Sequence, residues 1–333
     1  MAELDAEKFF IDLTTRMNRS MTYSKKLIHD LDTAIEKLLA YGSVNSDFFN
    51  VLRSNLQIIR CFSQFDYHGV IRKAQQIIST IDESKTRVGY LSEIYTKKAV
   101  ALIAIGQASA AKVNLKKVQQ MVHRGGVNWN IILIYRLICC FHQGAYQEAY
   151  DLYKSSKKHS QRWQLILAEQ WLVLEAYLMF FAGTGKITAY TAHSFRLGKF
   201  LNEVPILNRD MAGHKVNIII LQILFDLQRK RYGKVIDRID ALRQYVSRHL
   251  SAIESLRARL FVKILLQLPA ANFHRKGFEM RIKRLKKRLF ENRIAVGQNY
   301  EIEIVPFEDL LAEVLDLLED RIVYTKRRKS IPT

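Results

Sequence analysis

Proline is scarce in this chain: Pro205, Pro269, Pro306 and Pro332 are its only four in 333 residues. With so few breakers, long uninterrupted helices are easy and extended disorder is disfavoured over most of the length. Cysteine is scarcer still. Cys61 and the adjacent pair Cys139 and Cys140 sit in apolar, helix-patterned contexts. Neighbours on a helix point about 100° apart, so the pair makes neither a disulfide nor a metal clip, and three buried thiols in a reducing compartment are expected. Apolar runs long enough to span a bilayer are missing too, because Arg136 breaks the stretch from Ile131 to Phe141, and Glu169 and Glu175 break the one from Leu165 to Phe181. Met1-Ala2-Glu3-Leu4-Asp5 lacks the basic start and apolar core of a secretion signal. The expectation is a cytoplasmic protein with no integral membrane segment.

Catalytic patterns are also lacking. No His-Glu-x-x-His pair, Gly-x-Ser-x-Gly elbow, Cys-x-x-Cys pair or dinucleotide fingerprint occurs. Gly183-Thr184-Gly185-Lys186-Ile187-Thr188 superficially suggests a phosphate loop, but the required early glycine is Phe180 and the hydroxyl residue after the lysine is Ile187. The sequence therefore predicts no catalytic residues, no cofactor and no metal, and a protein that is not an enzyme.

What is present is a recurring phrase: Gly106-Gln107-Ala108, Gly144-Ala145-Tyr146 and Gly185-Lys186-Ile187 mark turns, with weaker copies at Tyr67 and Tyr232. The anchors lie about 40 residues apart, a period that fits stacked helix pairs. Ile94, Lys98, Ala101, Leu102 and Ile105 form one helical stripe before Gly106, and Ala108, Ala111, Leu115, Val118 and Val122 form a facing one. The next unit reads Asn130 to Phe141, a turn at Gly144, then Tyr146 to Ser155.

At Gly144-Ala145-Tyr146-Gln147-Glu148-Ala149-Tyr150 the pattern resembles the turn and second helix of a tetratricopeptide repeat, with glycine in the turn, an aromatic at the helix start, then Glu-Ala and a second aromatic. The resemblance departs from the family in its longer period, its missing closing proline and its missing Trp/Leu/Gly signature. It covers roughly residues 45–250 and implies a right-handed α-solenoid whose concave surface holds another macromolecule, with no catalytic residues. Around it the chain divides into N-terminal capping helices (1–44), basic C-terminal helices (251–299) and an acidic segment with a basic tail (300–333). In the last, the strand-like Tyr300-Glu301-Ile302-Glu303-Ile304-Val305 precedes a helix opened by Pro306, a short β/α appendage that either folds back over the basic helix or docks a partner. The fold expected is all-α apart from that appendage.

The formal net charge of +20 is uneven. Residues 201–300 hold 21 basic against 8 acidic side chains, whereas residues 301–333 hold 5 against 8. The densest cluster is Arg275, Lys276, Arg281, Lys283, Arg284, Lys286, Lys287 and Arg288, on successive turns of one predicted helix, supplemented by Lys230, Arg231 and Lys234, with Arg238 and Arg243 nearby. Such spacing suits a polyanion backbone, and the expected function is a non-enzymatic scaffold docking on RNA or a ribonucleoprotein such as the ribosome. An adaptor gripping an acidic peptide or helix in the groove is the alternative. A peripheral membrane surface is a third reading, since Phe278, Ile282 and Leu289 lie opposite the basic residues. Trp129, Trp163, Trp171, Tyr135, Tyr150 and Tyr153 fall in the middle repeats and read mainly as core.

Overall fold

A computed structural model describes residues 1–20, 24–82, 87–157, 165–188, 198, 200, 212–249, 256–292 and 303–321. Every regular element among them is a helix: α1 Ala2–Ser20, α2 Lys25–Leu39, α3 Asp47–Ser63, α4 Tyr67–Thr80, α5 Val88–Ala104, α6 Ala108–Met121, α7 Val127–His142, α8 Tyr146–Ser156, α9 Leu165–Gly183, α10 Ala212–Gln228, α11 Tyr232–His249, α12 Leu256–Leu265, α13 Gln267–Ala270, α14 Arg275–Glu291 and α15 Phe307–Leu317. The scarcity of proline is the local reason. Pro269 sits in the first turn of the four-residue α13, where its missing N–H has no intrahelical partner to lose. α12 ends at Leu265, just ahead of α13, and residues 251–255 lie outside the described set.

Helices pack mainly on neighbours one and two along the chain. The odd-numbered helices α3, α5, α7 and α9 touch in series, and α4, α6 and α8 each lie against the two that flank them. α5 is buried on most sides, from Leu91 to Ala104, because it is enclosed by α3, α4, α6 and α7. α1 and α2 close the N-terminal end with their own cluster of Ala6, Phe10, Leu13, Leu31 and Leu38 against Phe49, Leu52 and Leu56 of α3.

The joints between paired helices share one backbone device. After α5 and α7, Gly106 and Gly144 take φ of +81° and +65°, and the next residue's N–H reaches back to a carbonyl of the last helical turn (Gln107 to Leu102, 2.8 Å; Ala145 to Cys140, 2.9 Å). Gly185 repeats this with φ +79° and Lys186 N–H to Phe181 O at 2.9 Å. The weaker copies close identically without glycine: Phe65 (φ +58°) with Asp66 N–H to Cys61 O, and Lys230 (φ +55°) with Arg231 N–H to Asp226 O. A left-handed L-residue costs roughly 1–2 kcal/mol, so the tertiary fit enforces the turn where the sequence does not favour it.

The acidic C-terminal segment folds back. α15 packs on α10, α12 and α14, burying Phe307, Leu310, Leu311 and Val314. Upstream of it, Glu303–Val305 forms no strand, and Tyr300 to Ile302 lie outside the described residues. The reason is visible at Glu303: its carboxylate accepts from Phe307 N–H at 3.1 Å and so serves the start of α15, while its carbonyl accepts from His142 Nε2 at 2.5 Å. Its polar groups are spent on side chains and a helix end, leaving no ladder to build.

Candidate nucleic-acid interface

α14 has an apolar stripe and a far wider charged surface. Phe278, Ile282 and Leu289 are fully buried, which contributes roughly 1.5–3 kcal/mol each toward holding the helix on α12 and α15. The remainder of the 17-residue helix carries eight basic and two acidic side chains. The stripe on which an interfacial membrane reading of this helix was based is thus buried, while Met280 and Phe290 on the same helix are exposed.

Two ends pin α14. At its start, His274 Nδ1 accepts from Gly277 N–H at 3.1 Å, capping the first turn, and its Nε2 donates to Asp320 O at 2.8 Å. At its end, Arg257, 4% exposed, donates to Leu289 O at 2.8 Å and Asn292 O at 2.6 Å. The same guanidinium reaches Glu303 through two bonds of 2.5 and 3.0 Å, and Glu308 at 2.6 Å, so all five of its N–H groups are used. Burial alone would lower the Arg257 pKa, but the bonds to Glu303 and Glu308 hold it above its ordinary value, and the side chain stays cationic. This clamp joins α12, the end of α14 and the start of α15.

The two predicted basic groups meet at one corner. Lys230 pairs with Glu319, whose backbone carbonyl accepts from Arg275 N–H at 2.9 Å, and the Tyr232 and Phe273 rings lie 4.6 Å apart beneath. Arg275 also lies 3.6 Å from Asp316. Two cations at the N-terminal end of a helix oppose its dipole, and these carboxylates offset that cost. Lys230 and Arg275 are thus partly neutralised, and Arg238 is bound to Asp226 (2.6 Å) and Gln222 (2.6 Å) inside the fold, while Arg243 pairs with Asp240 at 2.8 Å.

Beyond this corner the outward surface of α14 is different. Arg281, Lys283, Arg284, Lys286, Lys287 and Arg288 are all exposed. Lys287 makes a loose 3.7 Å contact with Glu291, and Lys286 lies 5.7 Å over the Phe290 ring; the other four form no ion pair among the described residues. Lys276, Arg231 and Lys234 are likewise exposed, without an ion pair among the described residues. The described ion pairs of the fold-back segment lie elsewhere: Glu303 and Glu308 serve Arg257, Glu313 serves Lys186, Asp316 serves Arg275 and Glu319 serves Lys230 and Arg321.

The other sequence-selected residues are structural. Gly106, Gly144 and Gly185 are turn residues, and Lys186, which the false phosphate loop highlighted, pairs with Glu313 and lies 5.5 Å over the Tyr146 ring. Trp129, Trp171, Tyr150 and Tyr153 are buried, Tyr135 is packed against the core, and Trp163 and the tail Lys326-Arg327-Arg328-Lys329 lie outside the described residues. Sequence reasoning missed the Arg257 clamp and the exposed Phe290. The first had a signal: Arg257 falls in helical register with Leu260, Phe261, Ile264 and Leu268, a charge on an apolar stripe. Phe290 had one as well, lying off the stripe that Phe278, Ile282 and Leu289 define.

No protein-family model, curated protein or solved structure matches this chain. Among the described residues, no helix is long and apolar enough to cross a membrane, and no group of three or more His, Cys, Asp or Glu side chains is placed to hold a metal ion.

Proposed function

We propose that this protein is a non-enzymatic, tetratricopeptide-like α-solenoid that docks on RNA through the outward face of α14, with a ribonucleoprotein such as the ribosome as the partner class. The observation that carries the reading is the set of six exposed cations from Arg281 to Arg288 on a helix held to the fold by the buried stripe of Phe278, Ile282 and Leu289. A merely solvated helix has no use for that arrangement. Arg281/Arg284, Lys283/Lys286, Lys283/Lys287, Arg284/Lys287 and Arg284/Arg288 are like-charge neighbours three or four residues apart. Together they cost roughly 1–2.5 kcal/mol in helix stability, a penalty that a bound polyanion removes. The shared turn geometry and the serial packing of α3 to α9 support the solenoid, with α1 and α2 as its N-terminal cap.

The test is RNA capture and its salt dependence. Tagged protein isolated under mild lysis, with and without ribonuclease, is compared with Arg284→Glu/Lys287→Glu/Arg288→Glu, whose substitutions are all at exposed positions. Loss of bound RNA or ribosomal particles from the variant supports the reading. A nuclease-resistant protein partner retained equally by both forms overturns it. With purified components, engagement of six phosphates predicts a log–log salt slope of about −4 on a single strand, so affinity falls about 300-fold between about 50 and 200 mM salt. The triple reversal should at least halve that slope.

A further inference from the structure

Between α14 and α15 lies an open groove of about 490 Å³ lined by Glu279, Ile282, Lys283, Lys286, Lys287, Phe290, Glu291 and Leu315. Its volume falls within the roughly 300–1,000 Å³ of small-molecule sites. The floor is apolar, with Ile282 and Leu315 buried, and the Phe290 ring stands in it 53% exposed. Lys283, Lys286 and Lys287 form the rim, spaced seven, four and three residues before Phe290 so that they share its side of the helix.

The mixture of groups constrains the occupant. A phosphate backbone lying in the groove would face Glu279 and Glu291. A nucleobase fits them better: its flat face suits an exposed aromatic ring, the N–H groups on its edge suit carboxylates, and its flanking phosphates would fall on the lysine rim. On the helix wheel Arg281, Arg284 and Arg288 lie together beside the lysine rim, with Glu291 at their edge, and give a backbone a line to follow outside the groove. Duplex RNA keeps its bases stacked inside and offers nothing to the groove.

From this juxtaposition we infer that the groove is a base-stacking subsite for single-stranded RNA, in which an unpaired base lies on Phe290 while Lys283 and Lys287 hold the adjoining phosphates. The inference rests on the RNA reading above and deepens it. Stacking on an aromatic side chain is sequence-tolerant, so the subsite selects strandedness over sequence.

The test uses fluorescence anisotropy of the full chain with three labelled probes: an oligouridylate, its abasic counterpart of equal charge, and a perfect RNA duplex. Phe290→Ala should weaken oligouridylate binding about ten-fold, within the range measured for base–aromatic stacking, while leaving duplex and abasic binding and the salt slope unchanged. Phe290→Trp should keep or improve binding, which a loss through misfolding would not do. Arg284→Glu/Arg288→Glu should weaken all three probes and flatten the slope. If the wild type binds RNA with the expected salt dependence but Phe290→Ala is indistinguishable from it, stacking is refuted and the RNA reading stands. If the wild type binds no probe at low salt, both fall.

Discussion

Replacing Arg257 with methionine should cost about 3–5 kcal/mol, because it strands the Glu303 carboxylate in a site where that side chain is 7% exposed. Five hydrogen bonds disappear with the guanidinium: two to Glu303, one to Glu308 and one each to the Leu289 and Asn292 carbonyls. Glu303 would keep only Phe307 N–H. The loss separates into two parts that a second substitution resolves. In Arg257→Met/Glu303→Leu the only carboxylate left without its partner is Glu308, which is 26% exposed and open to water, so most of the deficit should return; what persists is about 1–3 kcal/mol for the buried Leu289 carbonyl without a donor. Asn292 is less enclosed, and water can serve its carbonyl. Urea unfolding of the wild type, the single and the double variant measures both parts. Hydrogen exchange should locate the damage in α14 and α15 and spare α3 to α7. A double variant as unstable as the single one would refute the reasoning, since the penalty would then come from lost packing and not from a stranded charge.

Three further outcomes are expected. Gly144→Ala, at φ +65° with open space around the new methyl group, should lose about 1 kcal/mol, and Lys230→Gly should be more stable than the wild type because relief of the strained turn outweighs loss of its exposed pair with Glu319; thermal denaturation checks both. Burial holds His142 below the ordinary histidine pKa, the Glu303 carbonyl opposing this only in part, so the unfolded chain protonates first as pH falls. Stability should therefore fall below about pH 6.5 by up to about 1.4 kcal/mol per unit until the folded pKa is reached, and His142→Gln, which keeps an N–H donor, should flatten that dependence in pH-resolved urea titrations. Burial also pushes the Cys139 thiol up to about 12 and the Cys140 thiol up to about 11, so a thiol reagent at pH 8 should modify neither in the folded chain and both in denaturant.

Much of the architecture was legible because it rests on local signals. Glycine after an apolar stripe identified the turns at Gly106, Gly144 and Gly185, and the anchor spacing located Tyr67 and Tyr232, each of which begins a helix. That Phe65 and Lys230 would hold the same left-handed conformation was hidden, since neither residue favours it and only packing of the flanking helices imposes it. The basic helix was visible as a charge run on the opposite side from Phe278, Ile282 and Leu289. Which of its charges stay available was not, because Arg275 and Lys230 are neutralised by Asp316 and Glu319, more than 40 and 80 residues further along the chain. Of the strand-like alternation at Tyr300 to Val305, the described part from Glu303 to Val305 forms no strand, and for a related reason: alternation reports a two-faced segment, and Glu303 faces inward to meet Arg257.

These long-range pairs give the acidic segment a definite role in the proposed interface. It neutralises the N-terminal end of α14 and Lys186, fills the space over α10 and α12 with apolar side chains, and supplies Leu315 to the groove floor. None of its described carboxylates is paired with any of the six cations from Arg281 to Arg288. Had α15 been placed to shield that face, the five repulsive contacts along α14 would be relieved internally and an external polyanion would gain little by binding. The charge that α15 leaves uncovered, and the aromatic ring it leaves exposed beside it, are adjacent on one helix. A ligand that combines a phosphate backbone with a flat unpaired base satisfies both at once.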